Sequence, residues 1–134
     1  MKPTILVVDD QSDARQMVRM VMEIERYPVI EAGNGEKALA LAHLHKPACL
    51  IMDLRMPGIV DGFALCQAIK GDPDLCRIPI IILSAFFQQD EKEQGFRCGA
   101  AAFFEKPFNF YQLIDEVDRV ISRGESPFVE MHKC

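Results

Sequence analysis

The chain has 134 residues, of which 49% are apolar, and this is typical of one folded domain with a hydrophobic core rather than of a disordered segment. Its formal net charge of −5 argues against a nucleic-acid-binding surface, because such surfaces normally carry a basic patch. The apolar run near the N-terminus is too short for a signal peptide, and no apolar stretch is long enough for a transmembrane helix. We therefore expect one cytoplasmic domain that binds neither nucleic acid nor membrane directly.

The five cysteines include no C-x-x-C pair, and no histidine lies at zinc-ligand spacing from them. This set is typical of reduced thiols in a cytosolic protein. We therefore expect no disulfide bond.

Five short apolar segments predict five β-strands along the chain. They are Thr4–Val8, Pro28–Ala32, Ala48–Met52, Ile78–Leu83 and Ala100–Phe104. Most of these runs are apolar at every position, which indicates strands covered on both faces, as in a parallel sheet. The second segment is weaker and begins with proline, which suits the edge of a sheet.

Amphipathic patterns between and after these strands predict five helices. They are Asp13–Arg26, Asn34–His45, Asp61–Lys70, Gln89–Arg97 and a last helix that follows Asn109, with Asn109 and Gln112 as a capping box. The fourth helix is mostly polar, so we expect it to be the least firmly docked. Because right-handed crossovers place helices on both faces of a parallel sheet, ligands are expected beyond the carboxyl ends of the strands.

Polar side chains follow the predicted strands at that edge. They are Asp9 and Asp10 after the first strand, Asp53 after the third, Ser84 after the fourth, and Lys106 with Pro107 after the fifth. Two carboxylates about 4 Å apart repel by about 4 kcal/mol at an effective dielectric constant of about 20, so such a group needs a cation or shifted pKa values. An all-oxygen site with room for water and phosphate suits Mg²⁺. A metal beside a carboxylate, a lysine and a hydroxyl suits phosphoryl transfer to that carboxylate.

Four motifs give the chain a resemblance to a known family. They are "VVDD" (Val7–Asp10), "MDLRMPG" (Met52–Gly58), "LSA" (Leu83–Ala85) and "EKPF" (Glu105–Phe108). In this order and spacing, over residues 3–123, they resemble the response-regulator receiver domains of two-component signalling. The resemblance implies a flavodoxin-like, doubly wound (βα)5 fold with a parallel sheet in the order 2-1-3-4-5. It also implies a receiver domain over residues 1–123, with residues 124–134 as a C-terminal tail or the start of a linker.

The resemblance implies a phosphoacceptor and a metal site. Asp53 would accept the phosphoryl group. Mg²⁺, with Mn²⁺ as an alternative, would be bound by Asp10, by Asp53 and by the backbone carbonyl of Arg55, and Asp9 would support it, often through water. Taken alone, Asp9 and Asp10 also suit the N-terminal cap of the first helix, and that interpretation stays open for them in isolation.

The resemblance also implies roles around the phosphoryl group. Ser84 would donate a hydrogen bond to a phosphoryl oxygen, and Lys106 would form an ion pair with the group. Phe103 occupies the position of the family's switch aromatic, and the bond before Pro107 would be cis. Phe86, together with Arg55, occupies a position that tunes the lifetime of the phosphoryl group. Since neither can orient an attacking water, slow self-dephosphorylation is expected.

The function that follows is a switch rather than an enzyme. A histidine kinase or a histidine phosphotransfer protein would donate the phosphoryl group to Asp53, and an unknown downstream protein or output domain would read the altered surface. The alternative is a receiver-like protein–protein adaptor that is never phosphorylated. An aspartyl-phosphate hydrolase is disfavoured, because such enzymes carry a second aspartate where this chain has Arg55.

Three features depart from the family pattern or suggest a partner surface. The loop after Asp53 has an extra residue within residues 58–60, so we expect it to be bulged or longer. Phe86 and Phe87 are adjacent, so one of them is a candidate for exposure to a partner. Met20 and Met22 flank the apolar stripe of the first helix, where adaptable methionines suit a partner surface and core packing is the alternative.

Overall fold

The computed structural model describes residues 2–54, 56, 58, 60–85 and 89–124, and within these ranges it contains one parallel sheet of five strands. The strands are β1 (Ile5–Val8), β2 (Val29–Ala32), β3 (Cys49–Asp53), β4 (Ile80–Ser84) and β5 (Ala102–Glu105). Their order in the sheet is β2-β1-β3-β4-β5, which confirms the order predicted from the resemblance. The edge position of β2 agrees with its leading proline.

Within the same described ranges, five helices alternate with the strands. They are α1 (Ser12–Ile24), α2 (Gly35–His45), α3 (Gly62–Lys70), α4 (Gln89–Arg97) and α5 (Phe110–Gly124). None of the helices in the described ranges is long and apolar enough to span a membrane. The result is the doubly wound α/β fold that the alternating pattern predicts.

The core lies in two layers, one on each face of the sheet. Along β1, Ile5 and Val7 pack with the buried residues of α1 and α5, whereas Leu6 and Val8 pack with those of α2 and α3. This alternation arises because successive side chains of a strand point to opposite faces. The continuous apolar runs of the sequence are therefore explained by burial on both sides.

Side-chain caps fix the starts of three helices. Asn34 Oδ1 accepts a hydrogen bond from the backbone N–H of Lys37 at 2.7 Å, and Asp61 Oδ1 accepts one from Ala64 at 2.9 Å. Asn109 Oδ1 accepts from the N–H of Gln112 at 3.2 Å, as the predicted cap requires. Such caps satisfy N–H groups that have no partner within the helix.

Strand β4 begins two residues later than predicted. Pro79 has no N–H to donate to a neighbouring strand, although its carbonyl accepts a hydrogen bond from the N–H of Leu50 at 2.9 Å. Regular pairing therefore starts at Ile80 and continues through Ser84. Ser84, which is predicted to follow this strand, is therefore its last residue.

The two methionines of α1 have different environments. Met20 is 64% exposed, whereas Met22 is fully buried four residues after the buried Val18. Residues four apart lie on the same face of a helix, which places Met22 in the core. The partner-surface hypothesis is therefore wrong for Met22 and stays a prediction for Met20.

The helix α4 approaches the sheet at a glycine. A Cβ atom at Gly95 would lie 3.1 Å from Ile82 Cδ1 and 3.5 Å from Phe103 Cδ2. Phe96, the main large apolar residue of this helix, is 45% exposed. The helix therefore makes close contact through its backbone and buries little apolar side-chain surface there, which fits the sequence-based expectation of weak docking.

Several sequence-based expectations fall outside the described residues. They concern Arg55, Ile59, Phe86, Phe87 and the tail from residue 125. Cys49, Cys66 and Cys98 carry free thiols, whereas Cys76 is disulfide-bonded, so the expectation of reduced thiols is wrong at that position.

Candidate functional site

The strand register brings the predicted site residues to one edge of the sheet. Val8 lies opposite Met52, so Asp9 and Asp53 follow these two positions side by side. On the other side of β3, Asp53 itself lies opposite Leu83, and Ser84 then lies opposite Glu105. Because all the strands run parallel, their carboxyl ends meet at the same edge.

Lys106 joins two carboxylates at this edge. Its Nζ atom donates hydrogen bonds to Asp9 Oδ2 at 3.0 Å and to Asp53 Oδ2 at 3.2 Å. The side chains of Asp9 and Asp53 are only 8% and 13% exposed, so the ammonium group offsets a repulsion that water screens poorly. The site is therefore built around a lysine between two acidic groups.

The charge of Lys106 is held by its surroundings. Burial by itself lowers the pKa of this lysine. The hydrogen bond to Asp9 and the charge of Asp53 outweigh burial and raise the pKa of Lys106 above its ordinary value. The side chain therefore remains an ammonium group at neutral pH.

A cavity of about 490 Å³ opens on this group. Asp10, Asp53 and Lys106 line one part of it. Its other walls are largely apolar and include Met17 of α1 and Phe108 before α5. Asp53 is thus accessible from the cavity although its side chain is largely buried.

Ser84 and the segment after it complete the edge. Ser84 is fully buried, and its backbone carbonyl accepts a hydrogen bond from the N–H of Lys106 at 2.8 Å. The peptide bond between Lys106 and Pro107 is cis, the isomer that the resemblance implies. Phe103 on β5 is partly buried and lies beside Gly95 of α4.

The donor set suits a divalent cation in its chemistry. Asp10 is exposed and lines the same cavity as Asp53, so two residues with hard oxygen donors of the kind that Mg²⁺ prefers border one space. In the described ranges, no group of three or more His, Cys, Asp or Glu side chains is already arranged to hold a metal ion. Lys106 spans two of the acidic residues instead.

Two glycines pack closely against described residues at and after the end of β3, and the sequence marks neither as part of the site. A Cβ atom at Gly62 would lie 2.5 Å from Leu54 Cα and 2.8 Å from the carbonyl oxygen of Asp53, so α3 begins directly against the end of β3. A Cβ atom at Gly35 would lie 2.2 Å from the carbonyl oxygen of Val60. In the sequence, the close contact of Gly62 with the end of β3 is indicated only by the Asp61–Gly62 pair at the start of α3.

The comparison with protein families agrees with this geometry. A family model described as the response regulator receiver domain matches residues 5–118. The chain belongs to this family. It is a receiver domain of the two-component response regulators, a signalling domain, and the family generally uses a divalent metal ion.

Two curated relatives are each 35% identical to the receiver domain. The DNA-binding dual master transcriptional regulator RpaA of Synechocystis sp. matches over 123 residues, which are 92% of this chain and 51% of the relative. The phosphate regulon transcriptional regulatory protein PhoB of Pseudomonas aeruginosa matches over 120 residues, which are 90% of this chain and 52% of the relative. The chain thus spans about half the length of these curated relatives.

Two solved structures share the fold over at least 92% of their chains. The signal receiver domain of a signal transduction histidine kinase from Syntrophus aciditrophicus has a TM-score of 0.85 at 32% identity, and the match covers 92% of both chains. The chemotaxis protein CheY4 of Vibrio cholerae has a TM-score of 0.82 at 31% identity, and the match covers 90% of this chain and 99% of that one. These similarities confirm the predicted fold class.

Proposed function

We propose that this receiver domain takes a phosphoryl group onto Asp53 from a histidine kinase or a histidine phosphotransfer protein. The observation that carries the proposal is the position of Lys106. Its ammonium group contacts the carboxylates of Asp9 and Asp53 beside a cavity large enough for a phosphoryl group and water. A lysine there neutralises the charge that arrives with a phosphoryl group.

The reaction is a displacement at phosphorus. One carboxylate oxygen of Asp53 attacks in line, the bond between phosphorus and the donor imidazole nitrogen breaks, and the electron pair of that bond stays with the imidazole. The ammonium group of Lys106 would pair with the negative charge on the phosphoryl oxygens. The hydroxyl of Ser84 would donate a hydrogen bond to one of these oxygens. With the other ring nitrogen of the phosphorylated donor protonated, the products are an aspartyl phosphate and a neutral histidine, and no further proton is needed.

A divalent cation belongs to this proposal. Asp9, Asp10, Asp53 and the carbonyl of Arg55 would hold Mg²⁺ or Mn²⁺. When it is bound, the cation supplies positive charge to the phosphoryl oxygens. The open position of Asp10 beside the cavity supports its role as a direct ligand.

The phosphoryl group would act on the protein through its neighbours. Ser84 and Phe103 form the switch, and Phe103 lies beside Gly95, so a movement of its ring is transmitted to α4. The surface of α4, β5 and α5 would then change its population of conformations, and a downstream protein or output domain would bind one of them. Slow self-dephosphorylation, attributed to Arg55 and Phe86, rests on the sequence alone.

The direct test is phosphorylation by a small phosphodonor. The purified chain is incubated with phosphoramidate and Mg²⁺, and its intact mass is measured. The wild type should gain the mass of one phosphoryl group, whereas Asp53→Asn should gain none. Asp74→Asn, which removes an exposed aspartate in the loop after α3, is the matched control and should be modified like the wild type. An unmodified wild type would instead favour the adaptor that is never phosphorylated.

A further inference from the structure

Arg15 of α1 connects the acidic edge to the outer strand of the sheet. Its Nη1 atom donates a hydrogen bond to the backbone carbonyl of Asp9 at 2.7 Å. Its Nε atom donates to Glu31 Oε1 on β2 at 3.0 Å. The side chains of Arg15 and Glu31 are only 20% and 21% exposed, so both contacts are largely shielded from water.

Every polar group of Asp9 has a partner. Its N–H donates to the carbonyl of Ala32 at 3.2 Å, and its Oδ1 accepts from the N–H of Gln11 at 3.0 Å. Its Oδ2 accepts from Lys106, and its carbonyl accepts from Arg15. Among these partners, Arg15 is the side chain that acts on the peptide group leading to the next residue.

The peptide group between Asp9 and Asp10 sets the position of the Asp10 backbone. The carbonyl of Asp9 and the N–H of Asp10 belong to one planar unit, so a hydrogen bond that fixes the carbonyl also fixes the plane from which Asp10 extends. Asp10 is exposed and lines the cavity. A ligand of this kind binds a cation well only when its neighbours hold its direction.

Glu31 in turn sets the direction of the Arg15 guanidinium group. Its Oε2 atom accepts from Arg19 Nη1 at 2.5 Å while Oε1 accepts from Arg15, so the carboxylate lies between two arginines of α1. Arginine presents its donors in a rigid planar fork, which lets Arg15 bind Glu31 and the carbonyl of Asp9 together. A lysine has a single flexible ammonium group and reproduces this geometry poorly.

We propose that Arg15, oriented by Glu31, is a positioning residue that holds the Asp9–Asp10 peptide group for binding of a divalent cation. The proposal rests on the function proposed above. It adds that the affinity of the site for Mg²⁺ depends on a side chain that touches neither the cation nor the phosphoryl group.

The test is a Mg²⁺ titration followed by backbone amide chemical shifts in four variants and the wild type. Arg15→Met should weaken Mg²⁺ binding about 10- to 100-fold, the usual effect of removing a group that orients a metal ligand. Arg15→Lys should recover only part of this loss, and Glu31→Gln should weaken binding in the same direction. Arg19→Met also removes a contact to Glu31 but leaves the carbonyl of Asp9 bound, so its Mg²⁺ affinity should stay within about threefold of the wild type.

The phosphorylation rate separates positioning from general loss of structure. With phosphoramidate as donor, Arg15→Met should need more Mg²⁺ to reach half its maximal rate, while its rate at saturating Mg²⁺ should approach that of the wild type. A lower maximal rate with unchanged Mg²⁺ dependence would overturn the proposal. Equal weakening by Arg15→Met and Arg19→Met would also overturn it.

The proposed function is tested separately by the wild type in the same experiments. A wild type that binds Mg²⁺ and is phosphorylated, with a folded Arg15→Met variant that matches it in both respects, would remove the role of Arg15 alone. A wild type that binds no Mg²⁺ would contradict both proposals. If Arg15→Met does not fold, Arg15→Lys and Glu31→Gln decide the question by the same measurements.

Discussion

Lys106 carries the positive charge that offsets the two carboxylates of the site, Asp9 and Asp53. It contacts Asp9 and Asp53 at hydrogen-bond distance, and their charges keep its pKa above the ordinary value despite burial. The ammonium group offsets the charge of these carboxylates, and by the same electrostatics we expect it to weaken the binding of a second cation there. These two effects are separable by substitution.

Lys106→Met should therefore change phosphorylation and metal binding in opposite directions. Loss of the ion pair to the phosphoryl group should slow phosphorylation by phosphoramidate roughly 10- to 100-fold, as expected for a lost hydrogen bond to a charged group. Affinity for Mg²⁺ should become tighter, because a nearby positive charge has been removed. Intact mass over time and a Mg²⁺ titration measure the two quantities.

The exposed lysine at the C-terminal end of α2 provides the control for that comparison. Lys46→Met removes a positive charge at the end of α2 opposite the acidic edge and should change neither quantity. A Lys106→Met variant that binds Mg²⁺ more weakly than the wild type would contradict the interpretation that the lysine limits cation binding.

For individual residues, the sequence predicts which side chains form the site better than it predicts the contacts between them. Asp53, Asp9 and Lys106 are predictable because parallel strands end at one edge. The bridge that Lys106 forms is not predictable, because it depends on side-chain rotamers across 97 residues of sequence. Arg15 has no local signature at all, since its partner Glu31 lies 16 residues away on another element.

The start of α3 constrains the site at the level of elements. Asp61 caps the helix, and Gly62 packs its backbone against the end of β3 with no room for a side chain. The N–H of Gly62 also donates to the carbonyl of Leu54 at 3.0 Å. The position of Asp53 is therefore coupled to the packing of α3.

Gly62→Ala should displace either α3 or the end of β3. The added methyl group meets backbone atoms, which cannot rotate away, so we expect a loss of about 1–3 kcal/mol in the free energy of unfolding, as in other overpacked cores. Phosphorylation of Asp53 should also slow. Chemical denaturation and the phosphoramidate assay measure the two effects.

Gly33→Ala is the matched substitution for this prediction. A Cβ atom at Gly33 would lie 3.5 Å from Arg15 Nη1, an ordinary contact distance, so this variant should keep the stability and the rate of the wild type. A Gly62→Ala variant as stable as Gly33→Ala would show that the end of β3 is not held by α3.

Elements are predicted from the sequence where the signal is local. The caps at Asn34 and Asn109 are found because a polar residue precedes an amphipathic run. The contact of α4 with the sheet through Gly95 is not found, because a glycine carries no hydrophobic signal and its role appears only when Phe103 is packed beside it. The boundary of β4 is shifted by the missing donor of Pro79.

The pH dependence of folding belongs to the whole molecule, because Glu31 ties β2 to α1. Partial burial raises the pKa of Glu31, but the hydrogen bonds from Arg19 and Arg15 outweigh it and bring the pKa below the ordinary value of 4.5. A carboxylate with a lowered pKa in the folded state contributes stability above its unfolded pKa, and this contribution is lost as the pH falls through the folded value.

Glu31→Gln should therefore be less stable than the wild type at neutral pH, and the difference should shrink as the solution is acidified below about pH 4.5. Urea denaturation at a series of pH values measures the difference in the free energy of unfolding. Glu105→Gln, which removes an exposed carboxylate at the end of β5, should differ little from the wild type throughout. A constant gap between Glu31→Gln and the wild type at all pH values would exclude this linkage.

The contact between Lys106 and Asp9 also has a consequence for the order of events during protein synthesis. These residues are 97 positions apart, and β5 is the last strand to leave the ribosome. A nascent chain that ends before β5 has the acidic residues of the edge but no lysine to balance them. The contact of Lys106 with Asp9 and Asp53 thus forms only after β5 has been added, so a chain truncated before β5 lacks the charge that balances the two carboxylates.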